Sequence, residues 1–131
     1  MLRKVVPPGF HAGSLRYHGM APLVSQVTDL GLVTPRSYPQ LKCFEAGIQF
    51  AKVEGIIPAP EANHAVSASI DEALRCKREG RSETILFNLS GHGNYDMQAY
   101  TDYFAGKLYD QEYSEAELAM ALSGLPSAAV A

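Results

Sequence analysis

The run Ser90-Gly91-His92-Gly93-Asn94 follows directly on Thr84-Ile85-Leu86-Phe87-Asn88-Leu89 and precedes Asp96, a residue type suited to starting a helix. An apolar strand, a turn of small residues and a helix form the layout that gathers ligands at the carboxyl end of a strand in an open α/β sheet. Three jobs suit such a turn. Its glycines and backbone N–H groups could hold a phosphate, Ser90 could act as a nucleophile, or the small residues could simply reverse the chain. The nucleophile is the weakest of the three, because a nucleophile elbow has Gly two residues before the Ser and this chain has Asn88 there. Residue types and spacing leave the other two open.

The remaining reactive groups are scattered. Glu61 falls in the first turn of an expected helix, where the macrodipole favours a carboxylate whether or not it has a further role. Lys4, Lys42, Lys52, Lys77 and Lys107 sit among polar or charged neighbours or near the termini. None has the desolvated pocket that activates a lysine amine. Cys43 and Cys76 are the only cysteines, and His11, His18, His64 and His92 offer them no close ligand spacing. No metal site is expected. The two thiols read as reduced, buried side chains of a cytoplasmic protein.

The elements that must position these groups are mostly helical. Residues 1–21 form a loop punctuated by Pro7, Pro8, Gly9, Gly13 and Gly19, with a short strand possible over Leu2 to Val6. A first helix starts at Pro22 and stops at Gly31, with Leu23, Val27 and Leu30 on its apolar side. A second runs from Pro39 to Glu54 with Leu41, Phe44, Ile48 and Ala51 on one face, and Gly55 ends it. Ile56-Ile57-Pro58-Ala59-Pro60 interrupts the helices, because each proline disfavours helical geometry in the residue before it. A third helix spans 61–79 with Val66, Ile70, Ala73 and Leu74 as its stripe and Lys77 and Arg78 at its negative end. The helix after Asp96 carries Met97, Tyr100 and Phe104, and Ser114 with Glu117 makes a capping box for a last short one.

Composition sets bounds on function. With 47% hydrophobic and 19% charged residues the chain is globular, and its 131 residues suit one domain or part of a larger one. A net charge of −3 gives no general attraction to nucleic acid or to an anionic membrane. No apolar run approaches the roughly 20 residues that span a bilayer. A difficulty then appears in the run 84–89. It is apolar almost throughout, as in a strand buried on both faces of a parallel sheet, and such a strand needs a neighbour on each side. The chain offers at best one weak partner near its start. Four amphipathic helices around one strand do not close a core, so the rest of the sheet is expected on another stretch of polypeptide.

Four blocks together carry a family resemblance: His11-Ala12-Gly13-Ser14-Leu15-Arg16-Tyr17-His18-Gly19, Cys43-Phe44-Glu45-Ala46, Glu54-Gly55-Ile56-Ile57-Pro58-Ala59-Pro60-Glu61, and Asn88-Leu89-Ser90-Gly91-His92-Gly93. In this order they resemble the C-terminal portion of the tryptophan synthase β family, most closely its second branch, which often works without an α subunit. The resemblance covers about residues 5–108, leaving 109–131 as a helical or frayed tail. It implies an α/β fold, part of a fold-type-II pyridoxal-phosphate (PLP) enzyme domain with helices packed on one or two parallel strands. It implies pyridoxal phosphate as cofactor, serine and indole as substrates, and replacement of the serine hydroxyl by indole. It places Ser90 against the pyridine nitrogen, Gly91 beside it and Glu61 on the cofactor side of a helix start. His92 stands where the other branch has an arginine.

A serine hydroxyl is a weak acid and leaves a pyridine nitrogen largely unprotonated, whereas a carboxylate would hold it as pyridinium and strengthen the electron sink. Ser90 would therefore tune the reaction toward β-replacement and away from transamination. The resemblance also implies what the chain lacks. The family's cofactor lysine lies in a His-Lys-Xaa-Asn motif that no lysine here matches, and the glycine-rich phosphate loop is missing. Two functions follow as expectations. The chain is either the cofactor-facing part of such an enzyme, inactive until joined to an upstream part, or a non-catalytic remnant that self-associates or binds a partner through the same apolar surface.

Overall fold

The structure is a computed structural model that describes residues 11–15 and 20–110, together with positions 114, 116, 119 and 123. The helices of the compact unit Phe10–Asp110 are α1 (Pro22–Asp29), α2 (Gln40–Glu54), α3 (Pro60–Glu79) and α4 (Met97–Phe104), with short 3-10 turns at Gly13–Leu15 and Gly93–Tyr95. A second unit, Met1–Gly9 with Gln111–Ala131, lies almost wholly outside the described residues. The expected short strand at Leu2 to Val6 and the Ser114–Glu117 capping box fall there too.

Helix boundaries follow local chemistry. Pro22 and Pro60 open α1 and α3, where a missing N–H costs nothing. Gly55 and Gly80 close α2 and α3 at φ of 70° and 65°, left-handed values that a side chain resists. Lys52 lies in the last turn of α2, and Lys77 and Arg78 in that of α3, facing the negative ends of the dipoles. Asp96 occupies the position before α4, but its side chain makes no capping hydrogen bond.

α2 and α3 form the central pair. They approach closely at Gly47, where an added Cβ would lie 2.0 Å from the Oδ1 of Asn63. A mid-helix glycine costs roughly 1 kcal/mol in propensity, and here it makes room for a buried amide. Phe44 of α2 meets α4 in the core with Ala99 and Tyr100, and Ile48, Ile57, Tyr103 and Leu108 pack around them. The Phe44 ring stands edge-on to Tyr100 at 5.1 Å and stacks on Tyr103 at 5.6 Å.

The described residues are mostly helical and contain no strand, so the expected helices on one or two parallel strands are not seen among them. Their sheet-like pairing is an isolated antiparallel bridge between Pro58 and His92. Residues 84–88 still alternate as a strand would, although Leu89 is exposed. Ile85 and Phe87 are partly buried against the helices, whereas Thr84, Leu86 and Asn88 are exposed, Leu86 at 94%. A β ladder needs a second backbone to exchange hydrogen bonds with, and the described residues present none alongside this run.

Three helical faces also differ from expectation. α1 forms but buries nothing, with Leu23 and Leu30 exposed. The buried stripe of α3 is Asn63, Val66 and Ser67, continued by half-buried Ile70, while Ala73 and Leu74 are exposed. Of the α4 set, Tyr100 is buried and Met97 and Phe104 are exposed. Among the described residues no helix is long and apolar enough to cross a membrane.

Two core groups make the fold sensitive to alkali. Burial, joined by the nearby Asp110 carboxylate and partly opposed by Lys42, pushes the Cys43 thiol from 9.0 up to about 12. Burial likewise raises the Tyr100 phenol, with its Asn63 hydrogen bond acting in the other direction and Asp96 adding to the rise. Both groups bind their protons more tightly folded than unfolded, so their contribution is whole below the unfolded values and is lost as pH rises through the folded ones. The urea midpoint of the full chain, followed by circular dichroism, should therefore fall between pH 9 and about 12. Cys43→Ala should flatten part of that fall, and an unchanged midpoint across the window would contradict the assignment.

Candidate functional site

The turn at Ser90 is held by the α2–α3 linker rather than by a strand. The Ala59 amide donates to the Gly91 carbonyl at 2.9 Å, and the Gly93 amide donates to the Ile57 carbonyl at 2.7 Å. These two bonds form the bridge between Pro58 and His92. Because Ala59 immediately precedes α3, the bridge brings the Ser90–Gly91 segment to the helix start that carries Glu61. The two regions singled out in the sequence thus share one small framework.

Glycine serves that framework through space, not through dihedral angles. Neither Gly91 nor Gly93 has a positive φ. A Cβ on Gly93 would lie 2.4 Å from the Pro58 carbonyl oxygen and 2.8 Å from the Ile57 side chain. A Cβ on Gly91 would lie 3.1 Å from that of Ala59. Close approach is therefore to the linker, a role the sequence could not separate from approach to a ligand.

Ser90 is exposed, and its hydroxyl makes no hydrogen bond to another described residue. Glu61 is half-buried in the first turn of α3 and is engaged by a neighbour. His92 is exposed. Its Nδ1 accepts a long 3.4 Å bond from the Asn94 amide, and its ring lies 5.4 Å from that of Tyr95.

Under the framework lies a buried polar pair. The Tyr100 hydroxyl donates to the Pro58 carbonyl at 2.6 Å and accepts from the Asn63 side-chain amide at 3.1 Å. Neither residue stood out as polar machinery in the sequence. A signal was present for Asn63, which shares the i, i+3, i+4, i+7 stripe of α3 with Val66, Ser67 and Ile70.

The other candidates are surface or packing groups. The His11 backbone donates to Gln40 at 2.9 Å and its ring faces Phe44 edge-on, while Arg16 and His18 lie outside the described residues. Lys42, Lys52, Lys77 and Lys107 are all exposed, with Lys42 paired to Asp71 and Lys107 to Asp102. Cys43 and Cys76 are buried free thiols, as expected. Among the described residues Glu72, Cys76 and Glu83 lie close enough to share an ion, but both carboxylates already hold the Arg75 guanidinium.

Comparison with known proteins bears on this geometry. No family model matches the chain. Curated sequences do: it is 54% identical over 105 residues to tryptophan synthase beta chain 2 of Methanosarcina acetivorans, a match spanning 80% of this chain and 24% of the relative. It is 55% identical over 116 residues to the tryptophan synthase beta chain of Pyrococcus horikoshii, spanning 88% of this chain and 25% of the relative. Aquifex aeolicus beta chain 2 is 54% identical over 105 residues. Its relatives are tryptophan synthase β chains. The resemblance read from the four blocks therefore extends through most of the chain, which spans about a quarter of the length of these β chains. The Ser90 turn, the α2–α3 linker and α4 lie within the part of the sequence that resembles the tryptophan synthase β family.

The glycine contacts set a graded expectation. Gly93→Ala drives a Cβ into a backbone carbonyl and should destabilise the chain by about 1–3 kcal/mol, the usual range for overpacking. Gly91→Ala meets one methyl at 3.1 Å and should cost less. Urea denaturation of both variants tests the order, and equal costs would remove the linker as the reason for Gly93.

Proposed function

We propose that the chain is the C-terminal part of a tryptophan synthase β-like enzyme and supplies the pyridine-nitrogen side of its cofactor site. The observation that carries this reading is the exposed Ser90 hydroxyl, bridged through Gly91 to the start of α3 in a chain more than half identical to tryptophan synthase β chains. The residues fit the group. An exposed hydroxyl on a rigidly anchored turn is able to donate to an unprotonated ring nitrogen without forcing it to pyridinium. Pyridoxal phosphate, when bound, supplies the electron sink for replacing the serine hydroxyl with indole. Ser90 holds the ring nitrogen, Gly91 keeps the turn against the linker, and Glu61 borders the cofactor from the first turn of α3.

Catalysis in this reading requires a second stretch of polypeptide. No lysine of this chain has the His-Lys-Xaa-Asn context, and its described lysines are exposed. The upstream part, about three-quarters of the relatives' length, would bring the cofactor lysine, the phosphate loop and the missing strands. Its docking place is the run 84–89 with the apolar groove beside it. The groove, of about 300 Å³, lies between α2 and α3 and is bordered by Phe50, Val53, Val66, Ile70, Ile85 and Phe87. Against an upstream strand, Leu86 would be covered and 84–89 would become an inner member of a parallel sheet.

The purified chain, mixed with a relative's β chain cut to remove its matching quarter, tests this reading. Together with pyridoxal phosphate the two should develop a cofactor absorption band that neither shows alone, and form tryptophan from serine and indole. Leu86→Asp should weaken the assembly by at least about tenfold, since it places a charge in an apolar interface. A mixture with no band and no association, beside a well-ordered oligomer of the chain alone, would sink this reading and assign the same surface to self-association.

A further inference from the structure

Ser90 is exposed, yet the backbone that carries it is anchored by a chain of contacts ending at a buried phenol. Gly91 and Gly93 on either side of His92 bond to Ala59 and Ile57. Between those two residues stands Pro58, which has no N–H and whose carbonyl accepts the 2.6 Å bond from Tyr100. The Tyr100 hydroxyl is oriented in turn by the Asn63 amide, and Asn63 is fully buried because Gly47 leaves it room. Tyr100 also forms a wall of the turn, since its Cε2 would lie 3.1 Å from a Cβ on Gly93.

We infer that Tyr100, oriented by Asn63, is the positioning residue for Ser90. The phenol fixes the Pro58 carbonyl, Pro58 fixes its two neighbours, and these fix Gly91 and Gly93, so the direction of the Ser90 hydroxyl is set from beneath by α4. Neither Tyr100 nor Asn63 needs to touch cofactor or substrate. A hydroxyl meant for a ring nitrogen must be held within a fraction of an ångström, and an exposed turn does not achieve that by itself. The inference rests on the cofactor reading of Ser90 for its purpose, but its mechanical part stands on the contacts alone.

The test compares Tyr100→Phe with the unaltered chain. Removing the hydroxyl keeps the ring in the core and releases the Pro58 carbonyl. By NMR, the Ala59 and Gly93 amides should exchange with solvent about tenfold faster, as expected for losing one buried hydrogen bond, and the Ser90 resonance should shift. Amides in the middle of α2 should exchange as before. Unchanged exchange at Ala59 and Gly93, or an equal acceleration throughout α2, would overturn the inference. Asn63→Ser, which shortens the orienting side chain, should reproduce the local effect in milder form and serves if Tyr100→Phe does not fold. In the assembly with the upstream part, Tyr100→Phe and Ser90→Ala should move the pH profile of the cofactor band in the same direction, whereas Cys43→Ala should not. A band that follows Cys43→Ala as much as Tyr100→Phe would reduce Tyr100 to a packing residue. Faster local exchange together with a band indifferent to Ser90→Ala would sink the cofactor reading while leaving the anchoring by Tyr100 in place.

Discussion

The hydrogen bond from the Tyr100 hydroxyl to the Pro58 carbonyl joins three parts of the molecule that are far apart in sequence. Pro58 lies between α2 and α3, Tyr100 lies on α4, and the Asn63 amide that completes the contact lies on α3. The Pro58 carbonyl lies in the non-helical linker just before α3, outside the helical hydrogen-bond ladder, so as a buried acceptor it needs a donor from elsewhere. The phenol provides it in a buried setting, where an unmade bond is costly. The aromatic core around Phe44 then holds the phenol by packing, and the pair Gly47–Asn63 holds its amide partner.

From that anchor outward the unit becomes progressively less covered. The contact of α2 with α3 is tight at Gly47 and opens toward the groove bordered by Phe50 and Phe87. The Phe50 and Phe87 rings meet edge-on at 5.9 Å, so 84–88 lies against the helices through the alternate residues Ile85 and Phe87. Its other set faces water. Two halves of one structure thus differ in kind: the half beneath the Ser90 turn is complete and internally bonded, and the half beside Leu86 is an apolar face. Such a face in a chain related to a quarter of a longer family of proteins is economically read as an interface.

Much of the local organisation was legible from residue types. The breaks at Gly55, Pro58, Pro60 and Gly80 and the spans of α1 to α3 follow from proline and glycine chemistry, which acts within a few residues. The turn at Ser90 was legible for the same reason. The strand read from the apolar run 84–89 did not form among the described residues, because a strand exists only with a partner and no second backbone adjoins this run there. The stripe of α3 holds at Val66 and Ile70 but is centred differently from Ala73 and Leu74, because Asn63 and Ser67 are buried with it and Gly47 opposite leaves room for the Asn63 amide.

Sequence by itself determined where the helices begin and end, that 84–89 is apolar enough to require a cover, and which family the blocks resemble. These depend on short-range sterics and on residue identity. Only the tertiary structure decided why Gly93 must be glycine, that Tyr100 and Asn63 lie beneath the Ser90 turn, and that the turn hangs on the α2–α3 linker. Those facts depend on distances between residues thirty-two or more positions apart, and no local pattern encodes which buried hydroxyl will meet which carbonyl once the helices have packed.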